Sequence, residues 1–242
     1  QQTEIAKTSV IRLAKTPFVT IPETPAKPED VQEKAQKGEL QFEFTPAKTM
    51  AVAQYRNGQW TDVAFVPAGS METGIVSDRY GQDIFGGNRA LKLPNGQIAL
   101  FRPELHAQRF LRNSQREVMP ELTVENIVDT YKQLARANID YIPQMQHGSL
   151  YLAPGLRSSG NQIGVKPNKE YVFSCAAIPA GKIFGEPLKL RTEKTFHRAA
   201  KGGFGNVKHA GNYSPTFIPK LKAKEEGFDD IIYLDETNQK TR

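Results

Sequence analysis

The stretch Gly202-Gly203-Phe204-Gly205-Asn206-Val207-Lys208-His209-Ala210-Gly211-Asn212-Tyr213 decides how the rest of the chain is interpreted. It places one lysine, Lys208, in a glycine-rich turn between two segments that have the composition of regular structure. A lysine amine that is partly desolvated beside cationic or aromatic groups is a nucleophile that condenses with aldehydes. The alternative is a solvated turn with an ordinary surface lysine, and spacing alone does not separate the two.

The composition of the 242-residue chain is that of a globular protein, with 38% hydrophobic and 24% charged residues. This length suits one large or two modest domains. The formal net charge is +6, but the 32 basic and 26 acidic residues are interspersed rather than gathered in one stripe. That distribution disfavours a partner nucleic acid, and a basic RNA- or DNA-binding module stays open as a third interpretation.

The single cysteine, Cys175, excludes an intrachain disulfide and a zinc site built from several thiolates. It lies in the apolar run 171–178, which favours a small buried hydrophobic residue over a reactive thiol. His106 and His147 have no partner at metal-ligand spacing, so we expect no bound metal, and we give His209 no role. Because no stretch of about 18 apolar residues occurs, we expect no membrane partner and a cytoplasmic location, with an organellar matrix as the alternative.

Hydrophobic periodicity predicts a mixed α/β region before the lysine stretch. Asn57-Gly58 and Asn95-Gly96 each separate two strand-like runs and supply residues that adopt positive φ, which predicts two hairpins. Two helices are predicted next, over 103–117 and 123–137. The second has an apolar stripe at helical spacing, an N-capping Thr123 and a terminating Asn138.

The remaining segments have weaker signals. A short strand is predicted at 149–152 and a longer one at 171–178, followed by a helix over 216–226 and a strand over 231–234. Residues 1–36 have little periodicity, and we expect them to form an arm that is flexible or lies over another surface.

The lysine stretch resembles the Schiff-base segment of the branched-chain amino acid aminotransferases, fold-type IV enzymes that use pyridoxal 5'-phosphate. Further blocks occur in the order of that family, and they are specific together although each is weak alone. They are Tyr80-Gly81-Gln82-Asp83-Ile84-Phe85, Leu100-Phe101-Arg102-Pro103, Arg109-Phe110, Ser114, Met119-Pro120, Ile142-Pro143, Ser149-Leu150-Tyr151-Leu152 and Tyr233-Leu234-Asp235. The resemblance implies an α/β (α+β) architecture of fold type IV and a homodimer.

In domain terms, the resemblance implies a small α/β domain over 42–178, after an N-terminal arm over 1–41. An interdomain linker over 179–187 and the start of a larger cofactor-binding domain over 188–242 follow. Members of the family continue past the position of Arg242 into a segment with a glutamate that pairs with the pyridine nitrogen of the cofactor. The chain is therefore either a fragment of a longer protein, which we expect, or a truncated relative that needs a partner.

The resemblance also implies roles for single residues. Lys208 would bond the cofactor aldehyde and move the α-proton of the substrate. Arg102, in the Phe-Arg-Pro block, would bind the cofactor phosphate, and Tyr213 would hydrogen-bond its phenolic oxygen. The pocket for the substrate's aliphatic side chain would be lined by Tyr80, Phe85 and Tyr151. The implied reaction is transamination of leucine, isoleucine and valine with 2-oxoglutarate.

Three positions depart from the family pattern. Ala153 stands where an arginine usually precedes the proline, Arg79 stands where histidine is common, and Gly86 stands where glutamate is common. These departures leave alternatives open. One is a D-amino acid transaminase or aminodeoxychorismate lyase of the same fold, and another is a non-catalytic relative that acts in oligomeric association.

Overall fold

The computed structural model of the chain describes residues 20–22, 24–42, 45–71, 75–160, 162–181, 187–235 and 237. The α-helices within these ranges are α1 (Pro28–Lys37), α2 (Ile75–Tyr80), α3 (Pro103–Arg116), α4 (Val124–Ala137) and α5 (Phe217–Glu225). The strands are β1 (Thr20–Pro22), β2 (Thr49–Arg56), β3 (Gln59–Trp60), β4 (Ala64–Pro67), β5 (Gly69–Met71), β6 (Asp83–Phe85), β7 (Asn88–Lys92), β8 (Ile98–Leu100), β9 (Ser149–Ser159), β10 (Glu170–Ala180), β11 (Leu190–Glu193) and β12 (Asp230–Tyr233). The predicted mixed α/β class is confirmed.

The main sheet has the strand order β3-β2-β10-β9-β7-β8, with β4 also paired to β2 and β6 also paired to β9. Its strand pairs in the described residues are antiparallel. The centre is the β9–β10 pair, whose register runs from Glu170–Ser159 to Ala180–Ser149. Because β10 has a neighbour along both edges and is mostly buried, its sequence is a continuous apolar run rather than an alternating one.

The first predicted hairpin is confirmed at Asn57-Gly58, where both residues have positive φ, 51° and 80°, as a tight two-residue turn requires. Its second arm is split between β3 and β4 instead of being one strand. Val52 pairs with Ala64, one residue out of step with the Tyr55–Trp60 pair. An extra residue in one arm is a β-bulge, which interrupts the ladder locally.

The second predicted hairpin is also confirmed, but its turn differs from the expected one. The Gly96 N–H donates to the Leu93 carbonyl at 2.9 Å, which closes a three-residue loop through Pro94. Gly96 has a φ of 81°, whereas Asn95 does not have positive φ. The fixed φ of proline suits the first corner of a type I turn, so only the glycine needs the left-handed conformation.

Helices α3 and α4 form as predicted and cover the sheet. Thr123 accepts a hydrogen bond from the Asn126 N–H at 3.0 Å, completing a capping box at the start of α4. The predicted apolar stripe faces β2, β9 and β10, and five of its members are buried: Ile127, Val128, Tyr131, Leu134 and Ala135. Burial of a valine, leucine or isoleucine side chain contributes about 1.5–3 kcal/mol. No helix in the described ranges is both long enough and apolar enough to cross a bilayer.

Part of the expected N-terminal arm is helical, because residues 28–37 form α1. Residues 1–19 of the predicted arm lie outside the described residues. The helix begins with Pro28, ends at the left-handed Gly38 (φ 72°) and buries only Val31 and Ala35 on its inner face. Gln32 ties it to the rest of the protein by donating to the Asp140 and Ile142 carbonyls at 2.9 and 3.2 Å. Two apolar residues are too few for the periodicity to be visible in the sequence.

Two strands run further than predicted. β9 continues past Leu152 through Pro154 to Ser159, and β10 continues through Pro179 to Ala180. Part of the predicted interdomain linker, residues 182–186, lies outside the described residues, so the division into domains stays a prediction. Beyond it, β11 and β12 pair in parallel. Helix α5 ends before Gly227, which has a φ of 84° as expected of a helix stop.

Candidate active site

The lysine stretch is a folded loop that lies along one edge of the main sheet. Asn212 donates from its side-chain amide to the Phe204 and Val207 carbonyls, both at 2.8 Å. Val207 is buried in the core. The Phe85 N–H donates to the Lys208 carbonyl at 3.1 Å. Lys208 is therefore held by its own main chain against the end of β6.

Lys208 has intermediate exposure, and its amine lies beside two aromatic side chains. Its Nζ lies 3.2 Å from the Tyr213 hydroxyl and 4.3 Å from the centre of the Phe85 ring. The Phe85 and Tyr213 rings contact each other at 5.0 Å. These are the conditions under which an amine is partly desolvated and oriented. The structure thus brings together Lys208 and two of the predicted site residues, Tyr213 and Phe85.

A cleft of about 370 Å³ opens beside Lys208. Its wall consists of Gly87, Asn88, Arg89, Phe101, His106, Arg109, Tyr151 and Lys208. Two arginines line the cleft besides Lys208, and most of its lining surface is apolar, so it is suited to a largely apolar ligand that carries an anionic group. Burial, together with the nearby Arg109, lowers the pKa of His106. His106 is therefore predominantly a neutral imidazole at neutral pH and leaves the positive charge to the arginines.

Tyr151, predicted as a substrate-pocket residue, forms one wall of this cleft. Its hydroxyl replaces a main-chain donor that Pro154 lacks. The Gly86 N–H donates to the Pro154 carbonyl at 2.8 Å, but Pro154 has no N–H with which to return the bond. The Tyr151 hydroxyl donates to the Gly86 carbonyl instead, at 3.0 Å. A Cβ at Gly87 would collide with the Tyr151 ring, so this glycine allows the ring to lie against the main chain.

Arg102, the predicted phosphate ligand, does not line the cleft. It is the N-cap of α3, has a left-handed main chain (φ 46°, ψ 50°), and its guanidinium lies 5.4 Å from the centre of the exposed Phe101 ring. Arg109, two turns further along α3, lines the cleft instead. Arg109 belongs to a family-like block of the sequence, but no role was predicted for it. No pattern in the sequence indicated that α3 would turn Arg109 towards β7 and β9.

Tyr80 is also separated from Lys208. It is the last residue of α2, is 42% exposed, and lines a different cavity of about 420 Å³ together with Glu117 and His209. The predicted grouping of Tyr80 with Phe85 and Tyr151 is therefore not formed within the chain.

Three ionisable residues for which no role was predicted meet behind the lysine stretch. His209 Nδ1 lies 2.6 Å from Glu117 Oε1, and Asp83 is close to both. Burial is the main cause that raises the pKa of Glu117 and the pKa of Asp83, while the charge of His209 lowers both. The hydrogen-bonded residues are 92 positions apart, so sequence spacing gives no sign of the cluster.

Comparison with known proteins gives relatives that are named as aminotransferases. No protein-family model matches the chain. The chloroplastic branched-chain-amino-acid aminotransferase 2 of Arabidopsis thaliana is 36% identical over 209 residues, which are 83% of this chain and 53% of the relative. The chloroplastic branched-chain amino acid aminotransferase 2 of Humulus lupulus is 41% identical over 174 residues, 71% of this chain and 42% of the relative. The chain thus spans about half the length of these relatives.

Solved structures agree. The T.th. branched-chain amino acid aminotransferase, complexed with N-(5'-phosphopyridoxyl)-L-glutamate, superimposes with a TM-score of 0.60 at 25% identity. The match covers 77% of this chain and 59% of that protein. The shared architecture confirms the predicted fold-type IV class, as a partial domain of that fold.

Proposed function

The chain belongs to the branched-chain amino acid aminotransferase family, and on that premise we propose that this protein transaminates leucine, isoleucine and valine with 2-oxoglutarate. The observation that carries the proposal is the environment of Lys208. Its amine contacts the Tyr213 hydroxyl and the Phe85 ring, and Lys208 lines a cleft together with two arginines. A solvated surface lysine has neither the aromatic contacts nor the cationic cleft.

We propose pyridoxal 5'-phosphate as the cofactor, because its functional groups match residues that line the cleft and Tyr213, which contacts Lys208. Lys208 offers an amine to the aldehyde, Tyr213 offers a hydroxyl to the phenolic oxygen, and Arg109 offers a guanidinium to the phosphate. We propose Arg109 for this contact because it lines the cleft; Arg102 stays the ligand that the sequence resemblance predicts. When bound, this cofactor supplies an electron sink for the α-carbon of an amino acid.

The proposed roles of the protein follow from these positions. Lys208 accepts the α-proton of the substrate and returns a proton during transfer, and its contact with Tyr213 keeps the amine oriented for that step. Phe85 and Tyr151 offer apolar surface to a branched side chain, for which one methylene is worth about 1–3 kcal/mol of discrimination. Arg89, paired with Tyr151 across β7 and β9, offers a cation to the second carboxylate of the acceptor.

The quaternary structure and the compartment belong to the same proposal. We propose a homodimer, in the cytoplasm or in an organelle matrix; the two plant relatives are named as chloroplastic. Sedimentation analysis of the purified protein tests the dimer, and a single species of monomer mass at micromolar concentration would remove it.

The experiment that tests the function joins labelling with turnover. The protein is incubated with pyridoxal 5'-phosphate, reduced with borohydride, digested and analysed by mass spectrometry. We expect the label on Lys208 and its loss in Lys208→Arg. Lys201→Arg, directly before the lysine stretch, is the matched control. Lys208 should keep the label in this variant. Glutamate formation from 2-oxoglutarate is then measured with leucine, isoleucine, valine and D-alanine.

The outcomes separate the proposal from its alternatives. Label on Lys208 with turnover of leucine supports it. Label on Lys208 with turnover of D-alanine but not of leucine identifies a D-amino acid transaminase of the same fold. Absence of label on every lysine indicates a non-catalytic relative. Ala153 supports the non-catalytic alternative. It lies on the same face of β9 as Tyr151 and places no charge there.

A further inference from the structure

Lys208 and His209 lie on an extended segment that runs beside β6. Lys208 accepts the hydrogen bond of the Phe85 N–H, and His209 forms an antiparallel bridge with Ile84. Successive side chains of an extended segment point to opposite sides. Lys208 accordingly lines the cleft, and His209 lies on the other side of the segment, where it lines the second cavity.

His209 is held on that side by several contacts. Its Nδ1 lies 2.6 Å from Glu117 Oε1, and its ring packs on Phe204 at 5.2 Å. The guanidinium of Arg116 covers the same Phe204 ring at 4.2 Å. A Cβ at Gly211 would collide with the imidazole, so this glycine of the lysine stretch leaves room for the ring.

Glu117 is a rigid partner for His209. It directly follows α3, and its side chain is 5% exposed, compared with 18% for His209. Its main-chain carbonyl accepts a hydrogen bond at 3.0 Å from Gln82 Nε2, and Gln82 is itself buried and bonded to the Tyr171 hydroxyl at 3.1 Å. The carboxylate is thus placed by α3 and by the residue that precedes β6.

A hydrogen bond between two side chains that are largely removed from water gives a directional contact, although its net contribution to stability is modest because both groups lose water. The direction of this contact matters here, because it connects Glu117, at the end of α3, to His209, the residue next to Lys208. We propose that Glu117 and His209 form a positioning pair that fixes the lysine stretch on β6 and so sets the position of the Lys208 amine in the cleft. The inference rests on the proposed function only for the chemical role of the Lys208 amine.

Two measurements test the positioning pair. The first is hydrogen exchange of the Phe85 amide, which bonds to the Lys208 carbonyl and therefore reports whether the stretch is seated on β6. The second is the rate at which pyridoxal 5'-phosphate and borohydride label Lys208, compared with reductive methylation by formaldehyde. An amine that is positioned in the cleft reacts faster with pyridoxal 5'-phosphate only. An amine that is merely more exposed reacts faster with both reagents.

The variants come in matched pairs. In His209→Leu the hydrogen bond is lost, and we expect Phe85 exchange to rise about tenfold or more, as for loss of a hydrogen bond to a charged group. Labelling of Lys208 by pyridoxal 5'-phosphate should slow while methylation does not. His209→Asn places an amide near the position of Nδ1 and should restore both values to within about threefold. Exchange within α4 is the internal control and should not change.

A second variant covers the case in which unpaired Glu117 prevents folding of His209→Leu. The double variant Glu117→Met/His209→Leu replaces both polar groups by apolar ones, which proteins often tolerate with little loss of stability. We expect it to fold and still to show faster Phe85 exchange and slower labelling. Parent values for both measurements in this variant would overturn the positioning pair. If pyridoxal 5'-phosphate labels Lys208 in no form of the protein, the proposed function fails, while the exchange measurement still decides the inference.

Discussion

The Tyr151 hydroxyl donates to the Gly86 carbonyl at 3.0 Å and so replaces the N–H that Pro154 lacks. A side chain thereby completes a main-chain ladder at the wall of the cleft. Burial raises the pKa of Tyr151, so the hydroxyl keeps its proton and remains a donor at neutral pH. This contact determines both the stability of the β6–β9 pairing and the position of the ring.

Tyr151→Phe should lower the free energy of unfolding by about 1–3 kcal/mol, because the Gly86 carbonyl is left without its partner. Urea unfolding followed by circular dichroism measures the change. Tyr80→Phe is the matched control, since Tyr80 is exposed, and should change the value by less than about 0.5 kcal/mol. Equal effects of the two substitutions would contradict the role given to the Tyr151 hydroxyl.

Arg109 and Arg102 are the two candidate ligands of the cofactor phosphate, and the affinities of variants distinguish them. Arg109→Gln should weaken binding of pyridoxal 5'-phosphate about 10-fold to 100-fold, because a hydrogen bond to a charged group is lost. Arg102→Gln should leave the affinity within about threefold of the parent. Both are measured by absorbance titration. The reverse ranking would restore the role that the sequence predicted for Arg102.

Val118 has a φ of 56°, which is strained for a β-branched residue. It follows the end of α3, where the Met119 N–H donates to the Ser114 carbonyl at 2.9 Å, a pattern that favours glycine at this position. Because Val118 is 67% exposed, Val118→Gly loses little packing and should raise the free energy of unfolding by about 1 kcal/mol.

The control for this substitution is Val165→Gly, at a residue that is 91% exposed and does not have positive φ. It should give no gain in the free energy of unfolding, or a small loss, because glycine adds freedom to the unfolded chain. Thermal and urea unfolding of both variants measure the difference. A loss of stability in Val118→Gly would show that the valine side chain contributes more than the strain costs.

Asp83 should make stability depend on pH. Burial is the largest cause that raises its pKa, and Asp78 raises it further, while Arg157 and His209 lower it. The folded protein therefore takes up a proton at a pH where the unfolded chain does not. The corresponding stabilisation is fully present below the unfolded pKa and is lost as pH rises through the folded value.

Asp83→Asn removes this ionisation. The free energy of unfolding of the variant minus that of the parent should therefore be larger at about pH 7.5 than at about pH 4. Urea unfolding at a series of pH values measures it. Asp129→Asn, at an exposed carboxylate paired with Lys132, should give a nearly flat difference. A difference for Asp83→Asn that falls as pH rises would contradict the assignment.

Local patterns predicted the elements whose signals are local. The stripe of α4, its Thr123 cap and the Asn57-Gly58 turn are each specified within a few residues, and all three are confirmed. α1 has only Val31 and Ala35 on its buried face, too few for a periodic signal. β9 passes through Pro154 because Tyr151 supplies the missing donor, an exchange of partners that depends on tertiary contacts.

The candidate site divides in the same way. Lys208 and Tyr213 are five residues apart, and the motif that contains them predicts their contact. Arg109 lines the cleft and Arg102, the N-cap of the same helix, does not, and their different placement depends on how α3 packs against the sheet. The Glu117–His209 contact joins distant parts of the chain, so it follows from the fold and not from any spacing in the sequence.

The parallel pairing of β11 with β12 has a consequence for segment exchange between molecules. The lysine stretch lies within the connection between these two strands, residues 194–229, so both ends of that connection are anchored side by side. A terminal arm can swap into a neighbouring copy by opening at a single hinge. For the lysine stretch to swap, β12 would have to detach from β11 as well. We therefore expect each copy to keep its own Lys208 during assembly.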